Sequence, residues 1–410
     1  MTPPRMLPSR AADPFEEAKN LFLEGLDCLE RGRFEDAEQC FLSSLALQPG
    51  RISTLINLTA TRLELSRPKE ALVLADEVLA AEKDNIDAWF HRGTALGLLD
   101  RNQEALASFE KVIAIDDSLA EPWLRHAQVL QSLKQPEQAL ASYDRALAID
   151  PTLAQAWSNR GGILQELRRL DEAAQSFREA IRHGADPELT GYYLASAGAA
   201  PAPGSAPPGY VRSLFDDYAE QFDEHLVKVL RYRGHTALAG RLEALHPGRF
   251  VSALDLGCGT GLFGTLLKSK TDRLTGVDLS RQMLGKARSL GIYERLEEAE
   301  IVQFLLTADE TFDLVAASDV FIYLGDLAPL FEGVRRVMEP GGIFCFSAEV
   351  ARPDAGDFEL LPSLRYAHSE AYIRRVAEQH GFDVASVVQG AIREDQRQAI
   401  TGMYAYLRLR

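Results

Sequence analysis

The stretch "LDLGCGTGLFG", residues 254–264, contains four glycines in eleven residues. A glycine has no Cβ, so the backbone at these positions can turn sharply and lie close to a ligand. The apolar run "FVSALDL", residues 250–256, leads directly into the glycines and is typical of a buried strand. We therefore expect a strand that ends in a tight turn facing a ligand.

Two kinds of ligand site match these glycines. Gly259, Gly261 and Gly264 form the G-x-G-x-x-G of dinucleotide folds, in which the first glycine directly follows the strand. Asp255 with Gly257, Gly259 and Gly261 forms D-x-G-x-G-x-G, the opening of an S-adenosylmethionine (SAM) site. Only the second pattern gives the acid a role, because a carboxylate at the strand end can organise water and donors around the cationic methionine part of SAM. The sequence therefore favours SAM.

A second acid supports this interpretation. Asp278 ends the next predicted strand, "RLTGVDL", 17 residues beyond Gly261. A carboxylate there can accept hydrogen bonds from both ribose hydroxyls. The stretch that follows predicts a helix with Ser280 as its N-cap and Met283 one turn on, where it would contact the adenine face.

Short apolar runs continue to alternate with helical stretches after this helix, which is typical of a parallel sheet wrapped by helices. Further predicted strands are "FDLVAAS" (312–318) and "GIFCFSA" (342–348). Two more, "FDVASVV" (382–388) and "MYAYLRL" (403–409), follow the last predicted helix. Because the connection between these two is too short for a helical crossover, we expect them to pair antiparallel.

The first half of the chain has a different pattern, with a period of 34 residues. The three tryptophans of the chain show this spacing: Trp89, Trp123 and Trp157. Five units aligned on it begin near Ala18, Ile52, Ile86, Ala120 and Ala154. Their twentieth place is always alanine, and their eighth is small enough to let two helices cross closely: Gly25, Thr59, Gly93, Ala127 and Gly161. The pattern resembles the tetratricopeptide repeat (TPR), which implies an all-α superhelix of five helical hairpins.

The fifth place of each unit should line the concave face of such a stack. We call the residues at this place the fifth-place stripe: Phe22, Ile56, Phe90, Leu124 and Ser158. One interpretation is that the stripe docks a protein or peptide. The other is that it packs between helices or against the second domain. Repeats that clamp a C-terminal carboxylate place Lys and Asn on this face, so the apolar stripe does not fit them.

Between the two patterns lies "AAPAPGSAPPG", residues 199–209, a Pro- and Ala-rich stretch that predicts an extended spacer. An amphipathic helix is predicted after it over residues 210–230, either covering the sheet or forming a lid over the ligand. We therefore expect the following organisation: a flexible N-terminus (1–17), five repeats (18–187), a closing helix and linker (188–209), and a second domain (210–410).

Residues 210–410 resemble the class I SAM-dependent methyltransferases, which have a Rossmann-like fold. The motifs that carry the resemblance are "LDLGCGTG", "TGVDLSRQML", "FDLVAASDVFIYLGDL" and "MEPGGIFCFS". Within that class the chain is most similar to predicted methyltransferases with N-terminal TPR repeats, in which "LFDDYAEQFDEHL" and "RYAHSEAYIRR" also have counterparts. The resemblance implies that SAM is bound by Asp255, Gly257, Gly259, Gly261 and Asp278. Ala299 and Glu300 stand where the family has Ala-Asp beside the adenine amine, with a glutamate that is one methylene longer.

Methyl transfer from a sulfonium is an in-line displacement, so the enzyme mainly supplies alignment. A base is needed only where the acceptor must lose a proton. The polar residues expected to reach the methyl group are Tyr218, Tyr323 and His368, together with Asp319, which also counts among the cofactor-binding candidates. Each has a structural alternative: the tyrosines as packing residues, and His368 as part of a helix start.

The overall composition limits the partners. A net charge of −16 argues against a nucleic-acid ligand. The sequence contains no run of 18 apolar residues, so it predicts no membrane span. The N-terminal stretch has no apolar core of the signal-peptide kind, so we expect a cytoplasmic protein. The histidines form no group with metal-ligand spacing, which predicts no metal site. We expect a SAM-dependent methyltransferase whose repeats dock a protein or peptide acceptor or partner. The alternatives are a small-molecule acceptor with repeats used only for assembly, and a non-catalytic SAM-binding scaffold.

Overall fold

The chain divides into two compact units, Met1–Ala185 and Asp186–Arg410. The computed structural model describes the following residues: 13–224, 226, 231–395 and 398–410. Most of the predicted flexible N-terminus and the last part of the predicted helix over 210–230 therefore lie outside the described residues.

The described part of the first unit consists of helices in sequential pairs, as expected for TPR hairpins. Their bounds are α1 Pro14–Glu30, α2 Phe34–Leu47, α3 Ile52–Glu64, α4 Pro68–Ala81, α5 Ile86–Leu98, α6 Asn102–Ile115, α7 Ala120–Ser132, α8 Pro136–Ile149, α9 Ala154–Glu166 and α10 Leu170–Arg182. At the eighth place a Cβ on Gly93 would lie 2.8 Å from the ring of Phe109, which faces it from the second helix of the pair. A small residue is therefore required where the two helices cross.

The tryptophans close the turn before the first helix of their units. The indole Nε1 of Trp89 donates to the carbonyl oxygen of Lys83 at 2.8 Å, and Trp157 makes the same bond to Pro151 at 2.9 Å. The turn within each hairpin contains a residue with positive φ, and these residues are also 34 apart: Gly32, Ser66, Asp100, Lys134 and Arg168. Only the first is glycine, so the repeated turn is not visible as a glycine pattern.

The fifth-place stripe takes part in packing within the first unit. Leu124 is only 2% exposed. Phe22 and Phe90 are half-buried, with ring centroids 5.9 and 5.8 Å from those of Phe41 and Phe109. For these three positions the structure favours packing between helices over an open apolar groove.

The second unit combines helices with a nine-stranded sheet in its described residues. Its helices are α11 Pro187–Ser196, α12 Pro208–Tyr218, α13 Phe222–Glu224, α14 Gly234–Leu245, α15 Gly264–Lys268, α16 Arg281–Ser289, α17 Ile301–Thr307, α18 Ala328–Val337 and α19 Glu370–Gln379. Its strands are β1 Phe250–Leu256, β2 Thr271–Asp278, β3 Arg295–Glu298, β4 Phe312–Ala317, β5 Met338–Val350, β6 Phe358–Leu360, β7 Tyr366–His368, β8 Phe382–Asp395 and β9 Gln398–Leu409.

The strand order is β3-β2-β1-β4-β5-β7-β6, with parallel pairing from β3 through β5. β9 pairs antiparallel with β5, and β8 pairs antiparallel with β9. The predicted Rossmann-like fold with a C-terminal antiparallel pair is thereby confirmed. Successive strands are added on one side from β1 to β3 and on the other side from β4 onward, so the strand order switches between β1 and β4. In open α/β sheets the crevice at such a switch point is the usual ligand site.

The predicted linker is not a free spacer in the structure. The carbonyl oxygen of Gly204 accepts hydrogen bonds from the backbone amides of Gly325 and Asp326, both at 2.9 Å. The amide of Ala206 donates to the carbonyl oxygen of Tyr323 at 2.8 Å. Residues 186–209 belong to the second unit, and Gly204 and Ala206 bond to the loop after β4.

Candidate active site

The second unit contains a cavity of about 580 Å³ at the carboxyl ends of β1, β2 and β4. Parallel pairing brings these strand ends to one edge of the sheet. Asp255, Asp278 and Asp319 therefore line the same cavity. The opposite wall includes apolar side chains of α12, among them Val211 and Phe215.

The glycine turn lines this cavity through Gly257 and Gly259, whereas Gly261 is not among its lining residues. Gly257, Gly259 and Gly261 have φ values of 63°, 53° and 91°, a backbone conformation that residues other than glycine rarely adopt. A Cβ on Gly257 would lie 2.5 Å from Cγ2 of Val320, whereas a Cβ on Gly259 would meet no atom within 4 Å. The backbone of Gly259 therefore faces open space, where a ligand can approach it closely.

Asp278 is held beside this turn by two backbone amides. Its Oδ2 accepts from the amide of Gly259 at 2.8 Å, and its Oδ1 accepts from the amide of Ser280 at 2.9 Å. Burial raises the pKa of this carboxyl, and the amide hydrogen bonds oppose that rise. Each oxygen keeps a further lone pair, so the carboxylate can accept two more hydrogen bonds from a ligand.

Asp255 is only 1% exposed, and its Oδ2 accepts a hydrogen bond from the hydroxyl of Tyr293 at 2.7 Å. Burial raises the pKa of Asp255 to about 7, and this hydrogen bond opposes the rise. The carboxyl therefore changes its protonation state close to neutral pH. A cation bound next to it would favour the ionised form.

Of the two side chains predicted to contact the adenine, Glu300 lines the cavity and Met283 does not. Glu300 lines the cavity, but its carboxylate caps α17 by accepting from the amides of Val302 and Gln303. Met283 is fully buried and is not among the lining residues, because its side chain faces the core side of α16. Leu279, next to the ribose-binding candidate, lines the cavity instead.

Asp319 lies at the end of β4 in the left-handed region, with φ of 63°. Its amide donates to the hydroxyl of Ser347 at 2.9 Å, and its Oδ1 pairs with Nη1 of Arg393 at 3.0 Å. Arg393 is buried and makes a second, short ion pair with Glu349. Burial lowers the pKa of this guanidinium, but the two carboxylates outweigh burial and the net shift is upward. This pairing fixes the carboxylate of Asp319 at the cavity wall.

The helical segment α12–α13 forms hydrogen bonds with the loops that follow β1 and β2. Ser280 donates its hydroxyl to Asp216 of α12 at 2.6 Å. Thr260, within the glycine turn, donates to Asp223 of α13 at 2.6 Å. Tyr218 lies between these two contacts along the chain and lines the cavity.

Of the remaining catalytic candidates, Tyr323 lines the cavity and His368 does not. Burial raises the pKa of Tyr323 above its usual range. His368 is fully buried on β7, where its Nε2 lies 3.1 Å from the carbonyl oxygen of Gly325. Burial lowers the pKa of His368 to about 4, so the ring is neutral. The structure thus gives His368 a place in the core instead of at the reaction centre.

Sequence reasoning missed several residues of the site. Tyr232 shares a hydrogen bond of 2.6 Å with Ser318, and both line the cavity. His235 stacks on the ring of Tyr232, with centroids 5.2 Å apart, and also lines it. Arg365 completes the wall. Ser318 and Arg365 lie within the motifs "FDLVAASDVFIYLGDL" and "RYAHSEAYIRR", but the motifs alone gave them no role. Tyr232 and His235 lie outside the quoted motifs and reach the cavity through long-range folding.

Among the described residues, no helix is long and apolar enough to cross a bilayer. No group of three or more His, Cys, Asp or Glu side chains is arranged to hold a metal ion in that same part of the chain.

Comparison with known proteins agrees with both units. Residues 254–346 match the family model of a methyltransferase domain, and residues 86–118 and 124–189 match tetratricopeptide repeats. The chain is 31% identical over 157 residues to a malonyl-[acyl-carrier protein] O-methyltransferase of Enterobacter lignolyticus (strain SCF1), covering 38% of this chain and 57% of the relative. Five relatives with this name are covered over 36–57% of their own length.

Two solved structures match parts of the chain. The N-methyltransferase NodS from Bradyrhizobium japonicum WM9, in complex with S-adenosyl-L-homocysteine (SAH), matches with a TM-score of 0.40 and 21% identity, covering 48% of this chain and 98% of NodS. The crystal structure of MamA matches with a TM-score of 0.36 and 21% identity, covering 39% of this chain and 93% of MamA.

The fold of the second unit and its family match define a class I methyltransferase domain, whose cofactor is SAM. The first unit is a TPR array. The chain thus combines tetratricopeptide repeats with a methyltransferase domain.

Proposed function

We propose that the second unit transfers a methyl group from SAM to an acceptor bound in the cavity. The observation that carries this proposal is the pairing of Asp278 with the open backbone of Gly259, which lie 2.8 Å apart from oxygen to amide nitrogen. This arrangement suits the ribose hydroxyls and the adjoining part of the cofactor. Leu279 and Glu300 would flank the adenine, and Asp255 would face the cationic methionine part.

SAM supplies a methyl group on a positively charged sulfur, so the protein needs mainly to align donor and acceptor. Tyr218 and Tyr323 are our candidates for contact with the acceptor. Because the pKa of Tyr323 is raised, its hydroxyl stays protonated at neutral pH. We assign it the role of a hydrogen-bond donor that positions the acceptor and not that of a base.

We further propose that the repeats dock a protein or peptide, either the acceptor itself or a partner. The presence of a TPR array supports this role, because stacked repeats create an extended surface. The burial of Leu124 speaks against the fifth-place stripe as an open groove for it. A small-molecule acceptor is the alternative, and the cavity within the second unit favours it.

The central test is Asp278→Ala, with Asp272→Ala as the matched control on the same strand. Asp272 is an exposed acid of β2 that pairs with Arg249, away from the cavity. Losing two charge-assisted hydrogen bonds, each about 1.5 to 3 kcal/mol, should weaken SAM binding at least tenfold. Isothermal titration measures the affinity, and circular dichroism checks the fold.

Asp278 also accepts hydrogen bonds from two backbone amides, so Asp278→Ala could disturb the local backbone. Asp278→Asn keeps one acceptor oxygen and therefore serves as a second variant with a smaller effect on this backbone. Folded variants that bind SAM as tightly as wild type would place the cofactor elsewhere. Formation of SAH from labelled SAM in the presence of the host's proteins and metabolites distinguishes an enzyme from a non-catalytic scaffold.

A further inference from the structure

Arg365 projects a positive charge into the cavity that the protein neutralises only weakly. It lies in the turn between β6 and β7, and 29% of its side chain is exposed. Within the described residues its sole ion pair is with Glu349, at 3.9 Å from Nη1 to Oε1. Glu349 already makes a short ion pair with the buried Arg393. A guanidinium has five N–H donors, and those of Arg365 make no hydrogen bond among the described residues.

The other charged groups of the cavity are already bonded within the protein. Asp278 accepts from two amides, and Asp319 pairs with Arg393. Asp326 accepts from the hydroxyl of Tyr372 and from the amide of Ala328, both at 3.0 Å. Arg365 is the single Arg or Lys among the described lining residues. The cavity therefore holds one cation that lacks a close carboxylate.

The surroundings of Arg365 indicate what kind of ligand would supply that carboxylate. Tyr323 lines the same cavity as Arg365, and both side chains carry hydrogen-bond donors. A carboxylate between them would accept hydrogen bonds from both. Val211, Leu214 and Phe215 line the same cavity and offer contacts to an apolar chain.

We propose that Arg365 binds a carboxylate of the methyl acceptor, and that the acceptor is a carboxylic acid with an apolar part. This inference rests on the proposed function and names the substrate class of that site. A planar guanidinium and a carboxylate form a paired, directional contact, which would fix the orientation of the acceptor relative to the cofactor.

SAM carries a carboxylate of its own, so the test separates the two sources. The variants are Arg365→Gln, Arg365→Lys and, as a matched control, Arg374→Gln, an arginine on the exposed face of α19 that pairs with Glu370. Titration with SAM comes first. If wild type fails to bind SAM, the proposed function fails; if Arg365→Gln alone loses SAM affinity tenfold or more, Arg365 holds the cofactor and the acceptor assignment is overturned.

The second arm uses hexanoate and its neutral amide, hexanamide, titrated into protein saturated with SAH. We expect hexanoate to bind wild type and the control variant, Arg365→Gln to weaken it about tenfold or more, and Arg365→Lys to retain part of the affinity. Hexanamide should bind poorly to all four proteins. Equal binding of acid and amide, no binding of hexanoate to wild type, or unchanged binding to a folded Arg365→Gln variant would each refute the proposal.

Discussion

Asp255 makes the second unit sensitive to pH in a calculable way. Burial raises the pKa of its carboxyl from 3.8 to about 7. The folded protein therefore holds this proton at a pH where the unfolded chain has lost it, so the free energy of unfolding falls as pH rises from about 4 to about 7 and is level above that. Three pKa units at 1.36 kcal/mol each correspond to about 4 kcal/mol at pH 8.

Asp255→Asn removes this ionisation and keeps an oxygen for the Tyr293 hydroxyl. We expect the variant to be more stable than wild type at pH 8, with a difference that is about 2 to 3 kcal/mol smaller at pH 5, where part of the ionisation cost has disappeared. Scanning calorimetry at several pH values measures this, and the transition that saturating SAH raises belongs to the second unit.

The same substitution should have the opposite effect on cofactor binding. A cationic ligand beside Asp255 favours the ionised carboxylate, so the affinity of wild type for SAM should rise as pH increases through about 7. Asp255→Asn should bind SAM more weakly and without this pH dependence. A stability difference that does not change between pH 5 and pH 8 would show that the carboxyl is already ionised in the folded protein, and the reasoning would be refuted.

Two further predictions concern the repeats and the segment before the methyltransferase domain. A fragment of residues 186–410 should fold and bind SAM, whereas residues 210–410 should be unstable. The shorter fragment lacks five hydrogen bonds, each worth about 1 kcal/mol. They join Gly204 O to the amides of Gly325 and Asp326, Ala206 N to Tyr323 O, Pro203 O to the Tyr366 hydroxyl, and the Tyr192 hydroxyl to Leu364 O. Equal melting temperatures of the two fragments would contradict this. In the repeats, Leu124→Ser should lower the free energy of unfolding by about 2 to 5 kcal/mol, since the side chain is 2% exposed, while Leu98→Ser, at a position 59% exposed, should have little effect. Chemical denaturation followed by circular dichroism measures both, and a Leu124→Ser variant of wild-type stability would reopen the docking role of the stripe.

The parts of the fold that could be predicted are those with a local cause. The 34-residue spacing of tryptophan and small residues reflects helix crossings that recur in each hairpin, as at Gly93 and Phe109. The D-x-G-x-G-x-G run reflects positive φ angles at three alternate residues after one strand. Asp278 follows because the ends of neighbouring parallel strands meet.

The residues that the sequence did not predict, or predicted at the cavity although they lie in the core, depend on the tertiary structure. Arg393 comes from the C-terminal strand pair and reaches Asp319 across 74 residues of sequence. Met283 stands one helical turn after its cap, but helical spacing alone does not say whether that face meets the ligand or the core. His368 lies on a three-residue strand with too short a pattern to detect. The repeated left-handed turns are occupied by Ser66, Asp100 and their equivalents, which carry no glycine signal.

The position of the tryptophans has a practical consequence for spectroscopy. All three lie in the first unit, where each indole donates to a turn carbonyl, and the second unit contains none. Tryptophan fluorescence under selective excitation of indole therefore reports on the repeats alone and contains no signal from the methyltransferase domain. One tryptophan introduced at Phe215, in the wall of the cavity, would add emission from that domain, and comparison with wild type would separate the melting of the two units.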